Sequence, residues 1–253
     1  NIKPTRIVGD KEMLTQFSRT ELLLGKEAMT KLEKSRVAVF GVGGVGGYVC
    51  EALVRSGVGA FDLIDDDKVC LTNLNRQIIA TRKTVGQYKA DVMRDRILEI
   101  NPNADVRIHK CFFLPENQDD FPFEEYDYIV DAMDTVSSKI LLIEQARKYK
   151  VPVISCLSMG DKLDPSRLEI MDISRVAADS ATKKMRAELR KRGVRRLKVI
   201  CSREHSHRGF EFRKIKPSVE KNIQGSISFV AGVAGLMTAG EVVRDILAEK
   251  HKK

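Results

Sequence analysis

The sequence has five cysteines but no C-x-x-C pair, and no uninterrupted run of eighteen apolar residues. Unpaired cysteines argue against a structural zinc site of the common kind and against a disulfide framework. Lys3, Arg6 and Asp10 interrupt any apolar run near the first residue, so no signal-peptide pattern is present. Glu241 interrupts the longest apolar candidate, residues 226–243, which we interpret as a buried helix. These absences predict a protein of the reducing cytoplasm, without structural zinc or membrane insertion.

The net charge is +9 over 253 residues, and most of the excess lies in one segment. Residues 183–198 hold nine Lys or Arg side chains and one acidic residue, Glu188. Such a cluster indicates either a surface that faces nucleic acid or a solvated helix face, and both interpretations stay open at this point. The candidates for contact with nucleic acid are Lys183, Lys184, Arg186, Arg190, Lys191 and Arg192.

Buried strands alternate with helices through the first 160 residues. Apolar runs predict strands at 36–41, 60–65, 105–110, 126–134 and 151–156. Amphipathic or capped segments predict helices at 10–34, 44–56, 84–102 and 137–149. This alternation is typical of βαβ units. We therefore predict an α/β fold with a doubly wound, Rossmann-like, mostly parallel sheet and helices on both of its faces.

The alternation ends near residue 160, which indicates two parts. We predict a nucleotide-binding core with an N-terminal helix over 1–160, and a small α+β extension over 161–253 that packs with the core as one unit. The extension is expected to hold a strand off the main sheet at 164–174, the basic helix, a polar loop at 205–225 and a final buried helix at 226–249.

The segment between the first predicted strand and the next helix satisfies G-x-G-x-x-G through Gly41, Gly43 and Gly46, with Gly44 added. Glycine permits close approach of a phosphate, and the helix that follows offers free N–H groups and the positive end of its dipole. Asp65 ends the second strand, where a carboxylate can accept hydrogen bonds from ribose hydroxyls. No G-K-[ST] follows, so the loop is not a P-loop. The pattern fits NAD as a redox cofactor as well as a consumed ATP.

Polar side chains that suit a triphosphate and its metal lie at or after the C-terminal ends of the predicted strands. Arg and Lys neutralise phosphate oxygens, and Asp is a common magnesium ligand. Ligands of open α/β sheets bind outside these strand ends, so the positions converge on one edge. A dehydrogenase needs no such cluster, which favours a consumed nucleotide. The members are Asp65, Asp67, Asn73, Arg76, Gln77, Lys89, Asp131 and Asp134.

Several side chains near this edge keep two interpretations. Lys139 either reaches a phosphate or is an exposed helix lysine, and Asp67 either assists its neighbour or caps the loop. Cys156 ends a strand near the site, where core packing is favoured over a thioester role. His205 and His207 lie in a polar loop without a third ligand, so solvation is favoured over metal binding. Core packing is also expected for Cys50, Cys70 and Cys111.

Four spaced motifs carry a family resemblance: GVGGVG, LIDDDKVCLTNLNRQ, TVGQYKADVM and VDAMD. Over residues 12–160 the sequence resembles the ThiF/MoeB-type adenylating domain shared by ubiquitin-activating enzymes and bacterial adenylyltransferases. The resemblance implies that a carboxylate attacks the α-phosphorus of ATP and gives an acyl adenylate and pyrophosphate. The resemblance assigns to ATP the residues Gly41, Gly43, Gly44, Gly46, Asp65, Asn73, Arg76 and Lys89. Asp67 and Gln77, from the polar cluster, complete the set that we predict to bind the nucleotide.

The same resemblance implies roles for four catalytic residues. Arg76 would reach the terminal phosphates, and Lys89 would face the phosphates near the bond that breaks. Asp134 would bind Mg²⁺ and take part in adenylation. Arg19 is similar to an N-terminal arginine that crosses a dimer interface to the partner's phosphates, so the resemblance implies a homodimer.

Residues 161–204 and the last predicted helix are similar to the tRNA threonylcarbamoyladenosine dehydratases. This similarity implies that the threonylcarbamoyl group on adenosine 37 of tRNA is adenylated and then cyclised with loss of AMP, and that the basic helix contacts the tRNA. Asp179 and Ser180 depart from the Asp-Pro pair expected in that group. The similarity leaves open whether a sulfur-transfer protein docks on the chain.

Two other functions stay open. An adenylyltransferase for a sulfur-carrier or ubiquitin-like protein shares the four motifs, but those enzymes usually carry two C-x-x-C zinc pairs. A dinucleotide-dependent oxidoreductase, or a domain that binds nucleotide without catalysis, shares the glycine pattern alone.

Overall fold

The computed structural model describes residues 14–177, 180–205 and 224–248. Asp179, His207 and most of the predicted loop at 205–225 lie outside these residues. The described helices are α1 (Ser18–Leu24), α2 (Lys26–Lys34), α3 (Gly46–Ser56), α4 (Lys89–Ile100), α5 (Val136–Tyr149), α6 (Ser180–Lys191) and α7 (Ser228–Ala248). The described strands are β1 (Arg36–Phe40), β2 (Ala60–Ile64), β3 (Asp105–His109), β4 (Tyr128–Asp131), β5 (Val153–Cys156), β6 (Leu168–Asp172) and β7 (Lys198–Ser202).

The strands form one seven-stranded sheet in the order β3-β2-β1-β4-β5-β7-β6. Every neighbouring pair is parallel except β6 and β7, which run antiparallel. The predicted mostly parallel α/β sheet is therefore confirmed. The strand order changes direction between β1 and β4, and such a switch point opens a crevice at the carboxyl ends of the strands.

Alternating side chains of β1 separate the core into two faces, as the period of a strand requires. Val37 and Val39 pack in a cluster that includes α3, α4 and α7, whereas Ala38 and Phe40 pack in a cluster that includes α5. Met185 of α6 packs in a third cluster with α5. Helices thus cover both faces of the sheet. Among the described helices, none is both long and apolar enough to cross a bilayer.

Three predicted elements differ from the structure. The helix predicted at 10–34 is two helices, because Gly25 between them has a φ of 84°. The helix predicted at 84–102 begins only at Lys89, after a turn that contains Gly86. The strand predicted off the main sheet is β6, which pairs with β7 at the edge of that sheet. The sheet therefore continues beyond residue 160, where the alternation indicated a new part.

Asp62, in the middle of β2, is fully buried and has three polar partners. Arg36 Nη1 donates to its carboxylate at 2.7 Å, the Tyr126 hydroxyl donates at 3.2 Å, and His109 Nε2 lies at 2.9 Å. Burial alone would raise the pKa of Asp62. The hydrogen bonds with His109 and Arg36 outweigh burial and hold the pKa below its ordinary value. Arg36 also pairs with Asp105.

We expect Asp62→Ala to lower the free energy of unfolding by about 3–5 kcal/mol, because the buried Arg36 guanidinium loses its buried partner. Asp105→Ala removes the other carboxylate from the same guanidinium. It should cost less than about 1 kcal/mol, because that carboxylate is 60% exposed. Urea unfolding at neutral pH measures both losses, and equal losses would contradict the assignment.

The wild type and Asp62→Ala should also differ in how their free energies of unfolding respond to acid. Because the folded-state pKa of Asp62 is lowered, its contribution is fully present above the ordinary Asp pKa of about 3.9. It is lost as the pH falls through the folded-state value. Urea unfolding repeated at falling pH should therefore show the gap between wild type and Asp62→Ala closing below about pH 4.

Candidate active site

A cavity of about 820 Å³ lies at the carboxyl ends of the parallel strands. Its walls follow the strand order of the sheet. Phe112 comes after β3, Asp65 after β2, the glycine loop (residues 41–47) after β1, Asp134 after β4 and Ser158 after β5. The cavity therefore extends across the switch point as a row of lining positions, one after each strand. Its volume is typical of a ligand site.

The cavity brings together nearly all of the residues that the sequence assigned to a nucleotide. Asp134 also lines it, whereas Gly46, Asp131 and Arg19 do not. The roles assigned to the individual residues stay predictions. The lining residues from the predicted nucleotide set are Gly41, Gly43, Gly44, Asp65, Asp67, Asn73, Arg76, Gln77 and Lys89.

Two glycines of the loop occupy positions that exclude a side chain. Gly41 has a φ of 92°, and a Cβ there would lie 2.6 Å from the Ala132 carbonyl oxygen. A Cβ on Gly46 would lie 1.9 Å from the Gly41 carbonyl oxygen, so Gly46 allows the loop to close without lining the cavity. Val45, the N-cap residue of α3, makes no side-chain hydrogen bond to the helix. First-turn N–H groups of α3 are therefore left for an anion.

Asp65 connects the glycine loop to the segment after β2. Its carboxylate accepts the Val42 N–H at 2.7 Å and the Asp67 N–H at 2.9 Å. Burial raises the pKa of Asp65, and the Lys89 ammonium at 3.8 Å opposes this rise. Lys89 is only 5% exposed, and its Nζ donates to Asp67 at 2.6 Å. Asp67 is thus the partner of Lys89, a contact that the sequence did not indicate.

The segment after β2 forms a short 3₁₀ turn, Leu71–Asn73, whose last residue lines the cavity. Asn73 Oδ1 accepts the Cys70 N–H at 3.0 Å and holds the start of the turn. Arg76 Nη1 donates to backbone and side-chain oxygens of the same segment. Gln77 is 6% exposed, and no residue in the described part of the chain pairs with its Oε1. An unpaired buried acceptor costs about 1–3 kcal/mol, which a donor on a ligand would remove.

A buried ion pair beneath the cavity joins the ends of β4 and β5. Lys139 Nζ donates to the two Asp131 carboxylate oxygens at 3.0 and 3.1 Å and to the Cys156 carbonyl oxygen at 2.8 Å. Asp131 also accepts the Met133 N–H at 3.2 Å. Lys139 is 4% exposed, so the interpretation as an exposed helix lysine is wrong, whereas a phosphate contact stays a prediction. The pair with Asp131 fixes the turn that carries Asp134.

Sequence reasoning missed the wall of the cavity beyond β5. Ser158 lines this wall and donates to Gln224 Oε1 at 2.9 Å. The Asp161 N–H donates to the Gly225 carbonyl oxygen at 2.8 Å, and the Gly225 N–H donates back to the Asp161 carboxylate at 2.7 Å. These contacts join residues 66 and 64 positions apart. The carboxyl end of β5 could have indicated Ser158, but no local signal indicates Gln224 or Gly225.

Helix α6 begins at this wall, where Ala181 lines the cavity. Lys183, Lys184 and Arg190 are exposed, while Met185 on the opposite side packs against α5. The other three predicted nucleic-acid residues have partners within the chain. Arg186 donates to backbone carbonyl oxygens of residues 173–176, Lys191 pairs with Glu188, and Arg192 pairs with Glu144 and Glu188.

Arg19 is exposed on α1, away from the cavity. A Cβ placed on Gly57, directly after α3, would lie 3.9 Å from the Phe17 ring. The start of α1 therefore lies near the end of α3 that is remote from the glycine loop. Helix α3 has 11 residues and a length of about 16 Å, so Arg19 is about one helix length from the glycine loop of its own chain.

The cysteines differ in environment. Burial raises the pKa of Cys156 to about 12, so this cavity-lining thiol is protonated at neutral pH. Cys50 is buried in the core, and Cys111 is half-buried on the cavity wall. The packing expectation is wrong for Cys70, which is exposed, and its hydrogen bond with the Thr72 hydroxyl lowers its pKa.

A second cavity, of about 610 Å³, lies at the opposite edge of the sheet, near the amino ends of β4, β5 and β7. Three of the charged groups on its wall pair with one another. Lys198 Nζ donates to Glu241 at 2.7 Å and to Asp245 at 2.6 Å, and the Tyr128 hydroxyl donates to Asp245. None of the predicted site residues lines this cavity, so we assign the ligand site to the first one.

Residues 17–253 match the ThiF family. The chain is 42% identical over 247 residues to the tRNA threonylcarbamoyladenosine dehydratase of Bacillus subtilis, a match that covers 94% of this chain and 96% of that protein. It is also 36% identical over 138 residues to a probable adenylyltransferase/sulfurtransferase, MoeZ, of Mycobacterium tuberculosis. That match covers 54% of this chain and 35% of that protein.

Two crystal structures of the Escherichia coli tRNA N6-threonylcarbamoyladenosine dehydratase resemble this fold at 31% identity. The complex with ATP has a TM-score of 0.82 and the complex with AMP one of 0.83, and each match covers 92% of this chain and 94% of the other. Escherichia coli MccB, at 21% identity and a TM-score of 0.65, shares the fold alone. The glycine loop at the switch point accompanies a family match over residues 17–253, and this match establishes that the chain belongs to the ThiF family.

Proposed function

We propose that this protein is an ATP-dependent enzyme that dehydrates, by cyclisation, the threonylcarbamoyl group on adenosine 37 of tRNA. One observation carries the proposal: a single cavity joins the phosphate loop and Asp134 to a second wall at Ser158 and the first turn of the basic helix α6. The dehydratase relative covers nearly the whole chain, whereas the adenylyltransferase relative covers about half of it.

In this proposal ATP occupies the part of the row between β3 and β4. The ribose hydroxyls donate to Asp65. Each of its carboxylate oxygens accepts one backbone N–H and has a second lone pair for a ribose hydroxyl. The phosphates bind the N–H groups of the glycine loop. Arg76 approaches the terminal phosphates, and Lys89, held by Asp67, faces the phosphate at which the bond breaks.

Mg²⁺ fits beside Asp134. No group of three or more His, Cys, Asp or Glu side chains within the described ranges could hold a metal ion alone. Mg²⁺ in nucleotide sites is usually held by one or two carboxylates together with substrate phosphates. Asp134 is an exposed carboxylate on the cavity wall, so it would hold the ion, which would neutralise charge on the phosphates.

The reaction needs no nucleophile from the enzyme. The substrate carboxylate attacks the α-phosphorus, and the bond to pyrophosphate breaks. The carbamoyl part of the same group then attacks the activated carbonyl carbon, the bond to AMP breaks, and the nucleophile loses a proton as the ring closes. A protonated Cys156 suits this course, and no sulfur-transfer partner is required. Unpaired cysteines support a cytoplasmic setting.

The enzyme works as a homodimer in this proposal. Arg19 is about one helix length from its own phosphate loop, so it would serve the site of a second copy. Leu22 and Leu23 on the same helix are 90% and 83% exposed, and large exposed apolar side chains are typical of a contact surface.

A second candidate is adenylation of the C-terminal carboxylate of a sulfur-carrier or ubiquitin-like protein. The similarity to MoeZ favours it, and the ATP half of the cavity would act in the same way. The two candidate functions differ only in the substrate that binds against the cavity wall at Ser158.

The proposed reaction is tested by AMP release from ATP with modified tRNA, unmodified tRNA or no tRNA, followed by the mass of the digested nucleosides. We expect AMP only with modified tRNA, and loss of one water from its nucleoside. Asp134→Asn should lower the rate by on the order of 100-fold, whereas Asp119→Asn, outside the cavity, should not. AMP release that requires a carrier protein would select the second candidate.

Tests of the basic helix use the salt dependence of tRNA binding. Alanine at Lys183, Lys184 and Arg190 should weaken binding of modified and unmodified tRNA alike, because these side chains contact phosphates. Each loss should reduce the slope of log K against log salt by about 1. Arg192→Ala removes an equal charge whose partners lie within the chain, and it should leave the slope unchanged. A lower slope for Arg192→Ala alone would contradict the assignment.

Mixing two inactive variants tests the contribution of Arg19 across the dimer. Arg19→Ala should lower the rate by about 10³-fold, as expected for an arginine supplied in trans. In a heterodimer of Arg19→Ala and Asp134→Asn, one site regains every wild-type residue. Random exchange of subunits should therefore restore about a quarter of wild-type activity. No recovery after verified exchange would place Arg19 outside the partner's site.

A further inference from the structure

Helix α5 begins at the cavity wall, directly after Asp134. It has 14 residues, and Thr135 at its N-cap and Ser138 in its first turn line the cavity. The Thr135 side chain does not cap the helix, so first-turn N–H groups keep their capacity to donate. The positive end of the helix dipole lies at the same place. This corner of the cavity suits an anionic oxygen.

Ser138 gives a second and independent indication of a ligand. It is only 7% exposed, it lines the cavity, and its hydroxyl has no hydrogen-bond partner within residues 14–177, 180–205 and 224–248. Within the described residues, the buried side-chain oxygens that lack a partner belong to Gln77 and Gln145, so the Ser138 hydroxyl oxygen is not sealed in the core but opens to the cavity. Ser137, the preceding residue, is exposed and does not line the cavity. The Ser138 hydroxyl is therefore available to whatever fills the cavity.

The order of the row indicates which anion binds there. Asp65 follows β2 and the glycine loop follows β1, so the phosphates of ATP extend towards β4. Helix α5 leads from β4 to β5 and begins on the Ser158 side of the row. The triphosphate already has the glycine loop, Arg76 and Lys89. The group that meets the α-phosphorus from the other side is the carboxyl group that attacks it.

We propose that the Ser138 hydroxyl and the first-turn N–H groups of α5 bind the substrate carboxyl oxygen that does not attack phosphorus. The inference rests on the proposed function, which supplies the carboxylate and the ring closure. When the carbamoyl part attacks the carbonyl carbon, the π electron pair moves onto this oxygen. The pair returns as the bond to AMP breaks, and the nucleophile loses its proton. Ser138 donates a hydrogen bond to this oxygen in both steps.

Ser138→Ala and the matched control Ser137→Ala test this subsite in the full-length enzyme. We expect ring formation on modified tRNA to slow by on the order of 100-fold in Ser138→Ala, the effect of losing one oxyanion donor. The Kd for ATP should change by less than about twofold, and Ser137→Ala should match the wild type. Ser138→Cys keeps the volume with a weak donor, so it should also be slow. Wild-type turnover in Ser138→Ala, or an equal loss of ATP affinity, would overturn the inference.

A binding measurement separates this inference from the proposed reaction. The probes are sulfamoyladenosine and its N-acyl form with a threonylcarbamoyl acyl group, in which the sulfamate stands in for the α-phosphate of the acyl adenylate. The acyl group should add about tenfold less affinity in Ser138→Ala than in the wild type. The Kd for sulfamoyladenosine itself should be unchanged. Should the wild type fail to turn over modified tRNA yet show this dependence, the proposed function fails and the carboxyl subsite stands. If the acyl group adds the same affinity in the wild type and in Ser138→Ala, the subsite is overturned, whether or not modified tRNA is turned over.

Discussion

Lys139 donates hydrogen bonds to two strands at once, through the Asp131 carboxylate at the end of β4 and the Cys156 carbonyl oxygen at the end of β5. A buried ion pair that loses one partner typically costs several kcal/mol, so this geometry is strongly held. This contact of Lys139 fixes the positions of both walls of the cavity. Asp134 lies three residues beyond Asp131, and Ser158 lies two residues beyond Cys156, so one ammonium sets the spacing between the Asp134 wall and the Ser158 wall of the cavity.

The side of the cavity that contains the glycine loop could be predicted from the sequence because its signals are local. The glycine loop lies between one strand and one helix, and Asp65 directly follows the next strand. The parallel alternation of strands and helices then brings these positions to one edge by topology alone. The orientations of the side chains could not be predicted. The contact of Lys89 with Asp67, and the burial of Lys139, depend on partners 22 and 8 positions away whose geometry no periodicity encodes.

The other side of the cavity depends on contacts between distant parts of the chain. β6 has the pattern of a strand, but only its pairing with β7 places it in the main sheet. Gln224 and Gly225 reach the cavity because they bond to Ser158 and Asp161, which no local pattern indicates. The charge of α6 was evident, yet the structure alone separates Lys183, with its exposed side chain, from Arg192, which pairs with two glutamates.

The strand order also divides the cavity along the chain. The cavity wall between β3 and β4 comes from positions 41 to 138, and the wall beyond β5 includes positions 156 to 162. Ser226 and Ala231 come later in the chain but lie beside Asn75 and the glycine loop. In the proposed reaction, the first segment would carry out the activation, which any carboxylate can share. The second segment would contact the group that carries the carboxylate. In that reaction, insertions or replacements after β5 would change which carboxylate is activated while the activation chemistry is inherited intact.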